Sequence, residues 1–136
     1  MMFSKKGFTL VELLISASII AILAGVTIAV LKPSHFYGKA RDGKRKADLE
    51  QIRSALEMYR TDAGSYPDSL SFGGSLVYDG NTYMNPVPND PLFPDQNFYY
   101  SGGGNIYQLC AALEIGGSDS CSGSCGVTCD YKLQNP

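Results

Sequence analysis

The most constraining feature of this chain is an apolar segment from Phe8 to Leu31 that contains a single acidic residue, Glu12. A helix of 24 residues, at ~1.5 Å per residue, covers a hydrocarbon core of about 30 Å, so the segment can span a membrane. An unpaired charge near the bilayer centre costs on the order of 3 kcal/mol. The segment contains no Lys, Arg or His, so Glu12 needs a cation from elsewhere.

Gly7 separates a short basic leader from the apolar segment. A cut after Gly7 would leave Phe8 as a new amino terminus, and a free α-amine is mostly protonated at neutral pH. That amine would lie four residues from Glu12. The same group on a neighbouring subunit could serve equally well.

The run from Lys5 to Leu14, KKGFTLVELL, resembles the class III signal of type IV pilins and of the pseudopilins of type II secretion systems. The resemblance implies that a prepilin peptidase cuts between Gly7 and Phe8 and N-methylates Phe8. Glu12 then becomes the fifth mature residue, with a role in assembly. An ordinary membrane anchor that contains an acid by chance is the alternative.

The resemblance also implies a fold and a set of partners. The expected fold is α+β, with a long N-terminal helix packed on a small antiparallel sheet. The partners are membrane lipid before assembly, identical and related subunits in a helical polymer, and an inner-membrane assembly platform with its ATPase. The expected segments are a leader (1–7), a filament-core helix (8–31), a stem with an amphipathic helix (32–66) and a β-rich head (67–136).

The stem has an amphipathic pattern from Ala47 to Ala63, where apolar residues recur every three or four positions. Upstream, Pro33, Gly38 and Gly43 each disfavour a helix interior, which predicts a kink or a loosened stem. The apolar positions expected to face the sheet are Leu49, Ile52, Leu56 and Tyr59.

The head contains two hairpin signals. Leu76–Tyr78 and Thr82–Met84 flank a turn at Asp79, Gly80 and Asn81. Phe98–Tyr100 and Ile106–Leu113 flank a second turn that is rich in glycine, from 102 to 105. These strands are expected to cover the apolar face of the helix.

Four cysteines occur in the head, and two disulfides are the favoured interpretation because so small a head has a limited core. The sequence leaves the pairing open, although a bridge from Cys110 to a loop cysteine would attach the tail to the sheet. A zinc site with thiolate ligands is the weaker alternative. The cysteines are Cys110, Cys121, Cys125 and Cys129.

Major pseudopilins often hold calcium in a C-terminal loop, and the resemblance therefore makes Ser118, Asp119 and Asp130 candidate ligands. The motif is not a clean match, and a solvated acidic loop is the favoured interpretation. The sequence predicts no other cofactor.

Charge is distributed unevenly along the chain. Residues 32–60 carry eight basic and four acidic residues, whereas residues 61–136 carry one basic and eight acidic residues. The basic stem conflicts with the basic leader under the positive-inside rule. The processing signal and the cysteines favour a cytoplasmic N-terminus, a single pass through the inner membrane and a head outside the cytoplasm, with later incorporation into a filament.

The basic stem, 39–46, is expected to meet anionic lipid or the acidic head of a neighbouring subunit, and nucleic acid is the less favoured partner. Catalysis needs a positioned base or nucleophile, and the only histidine, His35, lies just past the span beside Pro33 and Ser34. We therefore expect a structural subunit rather than an enzyme. The favoured function is that of a major pseudopilin in a type II secretion system, and the alternative is a type IV pilus pilin that serves adhesion, motility or DNA uptake.

Overall fold

The computed structural model describes residues 7–30 and 33–136. Most of the predicted leader (1–6) and the predicted boundary between span and stem (31–32) lie outside the described residues. The chain forms two compact units, one ending at Phe36 and one beginning at Tyr37.

The first helix, α1, runs from Leu10 to Val30 and is long and apolar enough to cross a membrane. Its hydroxyl groups donate hydrogen bonds to carbonyls one turn earlier, for example from Ser16 Oγ to Glu12 O at 2.7 Å and from Thr27 Oγ1 to Leu23 O at 2.8 Å. None of the residues of α1 is buried. The predicted apolar helix is therefore present, and its surface is uncovered on all sides.

The second helix, α2, runs from Pro33 to Ala63, so it is longer than the predicted amphipathic segment. The predicted loosening at Gly38 and Gly43 is wrong, because both glycines are helical. A Cβ atom at Gly38 would lie 3.2 Å from Glu114 Oε2. Glycine there allows the segment around Glu114 to approach α2, and this tertiary packing outweighs a helix propensity cost of about 1 kcal/mol.

The head contains two antiparallel sheets. Strands β1 (Leu76–Tyr78) and β2 (Asn81–Met84) form the predicted first hairpin. Asp79 and Gly80 turn the chain with φ angles of 47° and 80°, the left-handed conformation that a tight hairpin turn requires.

The second sheet has the order β3-β4-β5, formed by Tyr99–Gly103, Ile106–Ala111 and Tyr131–Gln134. The predicted second hairpin is present, but Gly102 and Gly103 pair with β4 instead of lying in the turn. Strand β5 was not predicted.

The core lies between α2 and the strand β4. The predicted contact face of α2 is confirmed, since three of its four predicted residues are buried and Tyr59 packs at the edge. Val87 and Phe98 complete the core from the connecting segments. The residues that α2 and β4 contribute to this apolar cluster are Leu49, Ile52, Ala55, Leu56, Tyr107, Leu109 and Ala111.

Candidate assembly site

The N-terminal end of α1 is formed by a reciprocal cap between Thr9 and Glu12. The Glu12 backbone N–H donates to Thr9 Oγ1 at 3.2 Å, and the Thr9 backbone N–H points to Glu12 Oε2 at 3.5 Å. The Thr9 hydroxyl also donates to Glu12 Oε2 at 3.4 Å. Threonine at the N-cap and glutamate three residues later are the two members of a capping box.

This cap was missed by the sequence reasoning, although the spacing T-x-x-E was the available signal. The cap holds the Glu12 carboxylate at the end of α1 that Gly7 and Phe8 precede. That end of a helix carries partial positive charge, which favours an anion. Within the part of the chain that the structure describes, Glu12 forms no salt bridge.

Gly7 and Phe8 precede α1 as exposed, non-helical residues. Among the described residues, nothing lies within 4 Å of a Cβ atom built at Gly7, so none of them obstructs the predicted cleavage point. The predicted cleavage bond, the residue predicted to be methylated and the Glu12 carboxylate thus lie within six consecutive residues.

A second polar cluster lies in the head around Arg45, which is completely buried. Its guanidinium donates to Asp90 at 2.8 and 3.1 Å, to Asp42 at 2.8 Å, to Glu114 at 3.0 Å and to Gln96 at 2.9 Å. The expectation that the basic stem meets a neighbouring subunit is wrong for Arg45, because groups of its own head accept hydrogen bonds from all five of its N–H donors.

Arg41 also pairs within the chain. It donates to the Glu114 carboxylate at 2.6 and 2.5 Å, and this contact, followed by the one from Arg45, lowers the pKa of Glu114 to about 2. The Asp42 carboxylate accepts the backbone N–H groups of Glu114 and Ile115, both at 2.9 Å. The segment after β4 is therefore fixed on α2 by charge-assisted hydrogen bonds.

The four cysteines form two disulfides, Cys110–Cys121 and Cys125–Cys129. The first joins β4 to the loop that leads to β5. It is a bridge from Cys110 to a loop cysteine, the kind of pairing that was expected to attach the tail to the sheet. No cysteine is free, so the alternative of a zinc site with thiolate ligands is wrong.

The acidic loop residues proposed for calcium are used to hold the loop. Asp130 Oδ1 accepts the Leu113 N–H at 2.7 Å, and Asp119 Oδ2 accepts the Lys132 N–H at 3.1 Å. Ser118 is exposed. Among the described residues no three His, Cys, Asp or Glu side chains form a group that could hold a metal ion. The six to eight oxygens that calcium takes are therefore not supplied by these three residues alone.

Comparison with known proteins gives two family matches. Residues 2–28 match the prokaryotic N-terminal methylation motif, and residues 34–131 match the family described as type II secretion system (T2SS), protein G. No solved structure matches the chain.

Individual relatives are similar along most of their length. The chain is 29% identical to type II secretion system core protein G of Escherichia coli K12 over 121 residues, which cover 79% of this chain and 81% of the relative. It is 26% identical to the protein of the same name from Pseudomonas aeruginosa over 132 residues, covering 85% and 90%. The relative from Aeromonas hydrophila is 27% identical over 126 residues, covering 85% and 79%.

Proposed function

Because the chain belongs to the protein G family of the type II secretion system and is a structural pseudopilin, we propose that its α1 helix becomes the core of a filament in which Glu12 pairs with the amine of a neighbouring subunit. The family implies processing by prepilin peptidase and assembly with other pseudopilin subunits. The methylation motif and the apolar helix indicate membrane anchoring. The alternative of a type IV pilus pilin is not favoured by these matches.

The observation that carries the proposal is the surface of α1. All of its residues, from Leu10 to Val30, are uncovered. A helix that is apolar on every side requires an apolar environment, which lipid supplies before assembly and other helices supply afterwards. We therefore expect α1 to leave the bilayer only when it packs against the α1 helices of other copies.

Glu12 gives this packing a defined register. Apolar side chains alone allow many axial offsets between helices, whereas a carboxylate at a helix end favours the offset that places it beside a cation. Cleavage after Gly7 would create that cation at Phe8. The resulting contact joins different surfaces of two copies, as an open helical polymer requires.

The head is proposed to lie outside the cytoplasm, with the N-terminus of the precursor inside. The two disulfides support this orientation, because disulfides persist in oxidising compartments. Assembly would use an inner-membrane platform and its ATPase, since the family match supplies a structural subunit.

The proposed function is tested by deleting the gene that encodes this chain from its host. Protein secretion, twitching motility and DNA uptake are then assayed in the deletion strain. We expect loss of protein secretion, restored by the wild-type chain, with motility and uptake unchanged. A host that secretes normally but loses motility or uptake would support the type IV pilus alternative instead.

A further inference from the structure

Burial removes two carboxylates but only one cation, Arg45, from the surface at the N-terminal end of α2. Asp42 and Asp48 are only 5% and 8% exposed, and Asp42 is bonded to Arg45. The lysines of the same segment are exposed and form no salt bridge with any described residue. The outer surface here is therefore more basic than the sequence composition suggests. These lysines are Lys39, Lys44 and Lys46.

Two aromatic side chains lie exposed beside these lysines. Phe36 is 74% exposed and Tyr37 is 64% exposed. Adjacent exposed aromatic rings are costly in water and are typical of the boundary between a bilayer and water. We refer to the set formed by Tyr37, Lys39 and Lys44, all of which belong to the second compact unit, as the collar.

The chain length between the apolar helix and the collar is short. Tyr37 follows Val30 by seven residues, which correspond to about 10 Å in a helix and to no more than about 25 Å in a fully extended chain. The headgroup layer of a bilayer begins where the hydrocarbon core ends and is about 5–8 Å thick. The chain length therefore allows the first residue of the collar to reach this layer when α1 spans the membrane, and it allows Lys44, 14 residues after Val30, to do so where α2 lies along the membrane surface.

We propose that the collar binds the headgroup layer of the membrane, with its lysines on the phosphates of anionic phospholipid, while the subunit waits for assembly. This inference rests on the proposed membrane insertion of the chain but does not require a filament. It also explains why basic residues are retained on the side of the span where the positive-inside rule disfavours them. The last turn of α2 and the segments that follow it have exposed carboxylates, which an anionic surface repels: Asp62, Asp68 and Asp79.

The chain has no tryptophan, so one substitution supplies a unique fluorescent reporter. Full-length Tyr37→Trp is reconstituted into vesicles of phosphatidylcholine, with and without phosphatidylglycerol, and quenching by lipids brominated on their acyl chains is measured. We expect a blue-shifted emission and stronger quenching in the anionic vesicles. The difference should shrink with added salt, because exposed charges are screened within about 10 Å at 0.1 M.

Two lysine variants and a second reporter give matched controls. Adding Lys39→Gln and Lys44→Gln to the reporter should abolish the difference between the two vesicle types, since each basic group near an anionic surface strengthens association by about fivefold. Lys132→Gln removes a lysine of β5, outside the collar, and should leave the quenching unchanged. Val77→Trp, on the exposed surface of β1, should stay unquenched.

Equal quenching in both vesicle types, or quenching that survives loss of the two lysines, would overturn the proposal. A blue shift that appears only when subunits polymerise without lipid would assign the collar to contact between copies instead. Extraction of the protein from the vesicles by alkaline carbonate would contradict the proposed membrane insertion itself, which separates failure of the function from failure of this inference.

Discussion

Arg45 and Asp90, 45 residues apart in sequence, form a buried two-point ion pair in which Nε lies 2.8 Å from Oδ2 and Nη2 lies 3.1 Å from Oδ1. Asp90 Oδ1 also accepts the Leu92 N–H at 2.8 Å. The pair therefore fixes the segment after Asp90 to α2. Through its further bonds to Asp42 and Glu114, Arg45 joins three parts of the head at one guanidinium.

Replacing Arg45 is expected to destabilise the head strongly. Arg45→Ala leaves the buried carboxylate of Asp90 without its partner, which should cost about 3–5 kcal/mol in free energy of unfolding. Arg45→Lys should also destabilise, because an ammonium group lacks the planar fork that bonds both oxygens of Asp90. Urea unfolding of the detergent-solubilised chain measures both changes.

Arg53→Ala is the matched control for this prediction. Arg53 lies 3.6 Å from Glu50 in a partly exposed pair, so its removal should cost less than about 1 kcal/mol. Similar losses for the Arg45 and Arg53 variants would show that the buried cluster does not hold the head together.

Glu114 predicts an acid-dependent loss of stability. Its hydrogen bonds from Arg41 and Arg45 lower its pKa from 4.5 to about 2 in the folded chain. A carboxyl with a depressed pKa contributes stability above its unfolded pKa and loses it as the pH falls towards the folded pKa. The free energy of unfolding of the wild type should therefore fall between about pH 5 and pH 2 more steeply than that of Glu114→Gln. Parallel pH profiles would contradict the assignment.

The sequence predicted those parts of the fold that depend on neighbours in the chain. The apolar helix, the hairpin around Asp79 and the buried face of α2 all follow from local periodicity and turn residues. The helix across Gly38 was not predictable in this way, because it depends on Glu114, far along the chain. Strand β5 is four residues long and is positioned by its pairing with β4. No local sequence pattern predicts this pairing.

The candidate site shows the same division. Gly7, Phe8 and Glu12 were predicted as site residues from their spacing, and the cap from Thr9 could have been predicted from the same spacing. The burial of Arg45 was not, because one guanidinium collects partners from positions 42, 90, 96 and 114. A basic stretch in the sequence does not reveal which of its members turn inward.

The two disulfides should contribute unequally. Cys110–Cys121 closes a separation of 11 residues and Cys125–Cys129 one of four, so loop-closure entropy gives about 3 and about 2 kcal/mol respectively. Paired alanine substitutions, compared by urea unfolding under non-reducing conditions, measure the difference. A larger loss on removing the shorter bridge would contradict this ranking.

Calcium is expected to have little effect on the head. Asp119 and Asp130 already accept backbone N–H groups, and the disulfides hold the same loop. The Tm in calcium should therefore equal the Tm in chelator. Asp130→Asn should lower the Tm equally in both conditions, because it weakens the contact with Leu113. A rise in Tm with calcium, lost in Asp130→Asn, would instead establish a calcium site.

The most direct test of the central claim is the amount of sheared filament formed by Glu12→Ala, measured beside the mass of the membrane-extracted subunit. The mass should show loss of Met1–Gly7 and one added methyl group for wild type and variant alike. Thr9→Ala serves as the control for the cap: it removes the hydroxyl but keeps the carboxylate, so it should assemble better than Glu12→Ala. We predict processed Glu12→Ala subunits that remain in the membrane and yield almost no filament. Filaments in wild-type amount from that variant would contradict the pairing of Glu12 with a neighbouring amine.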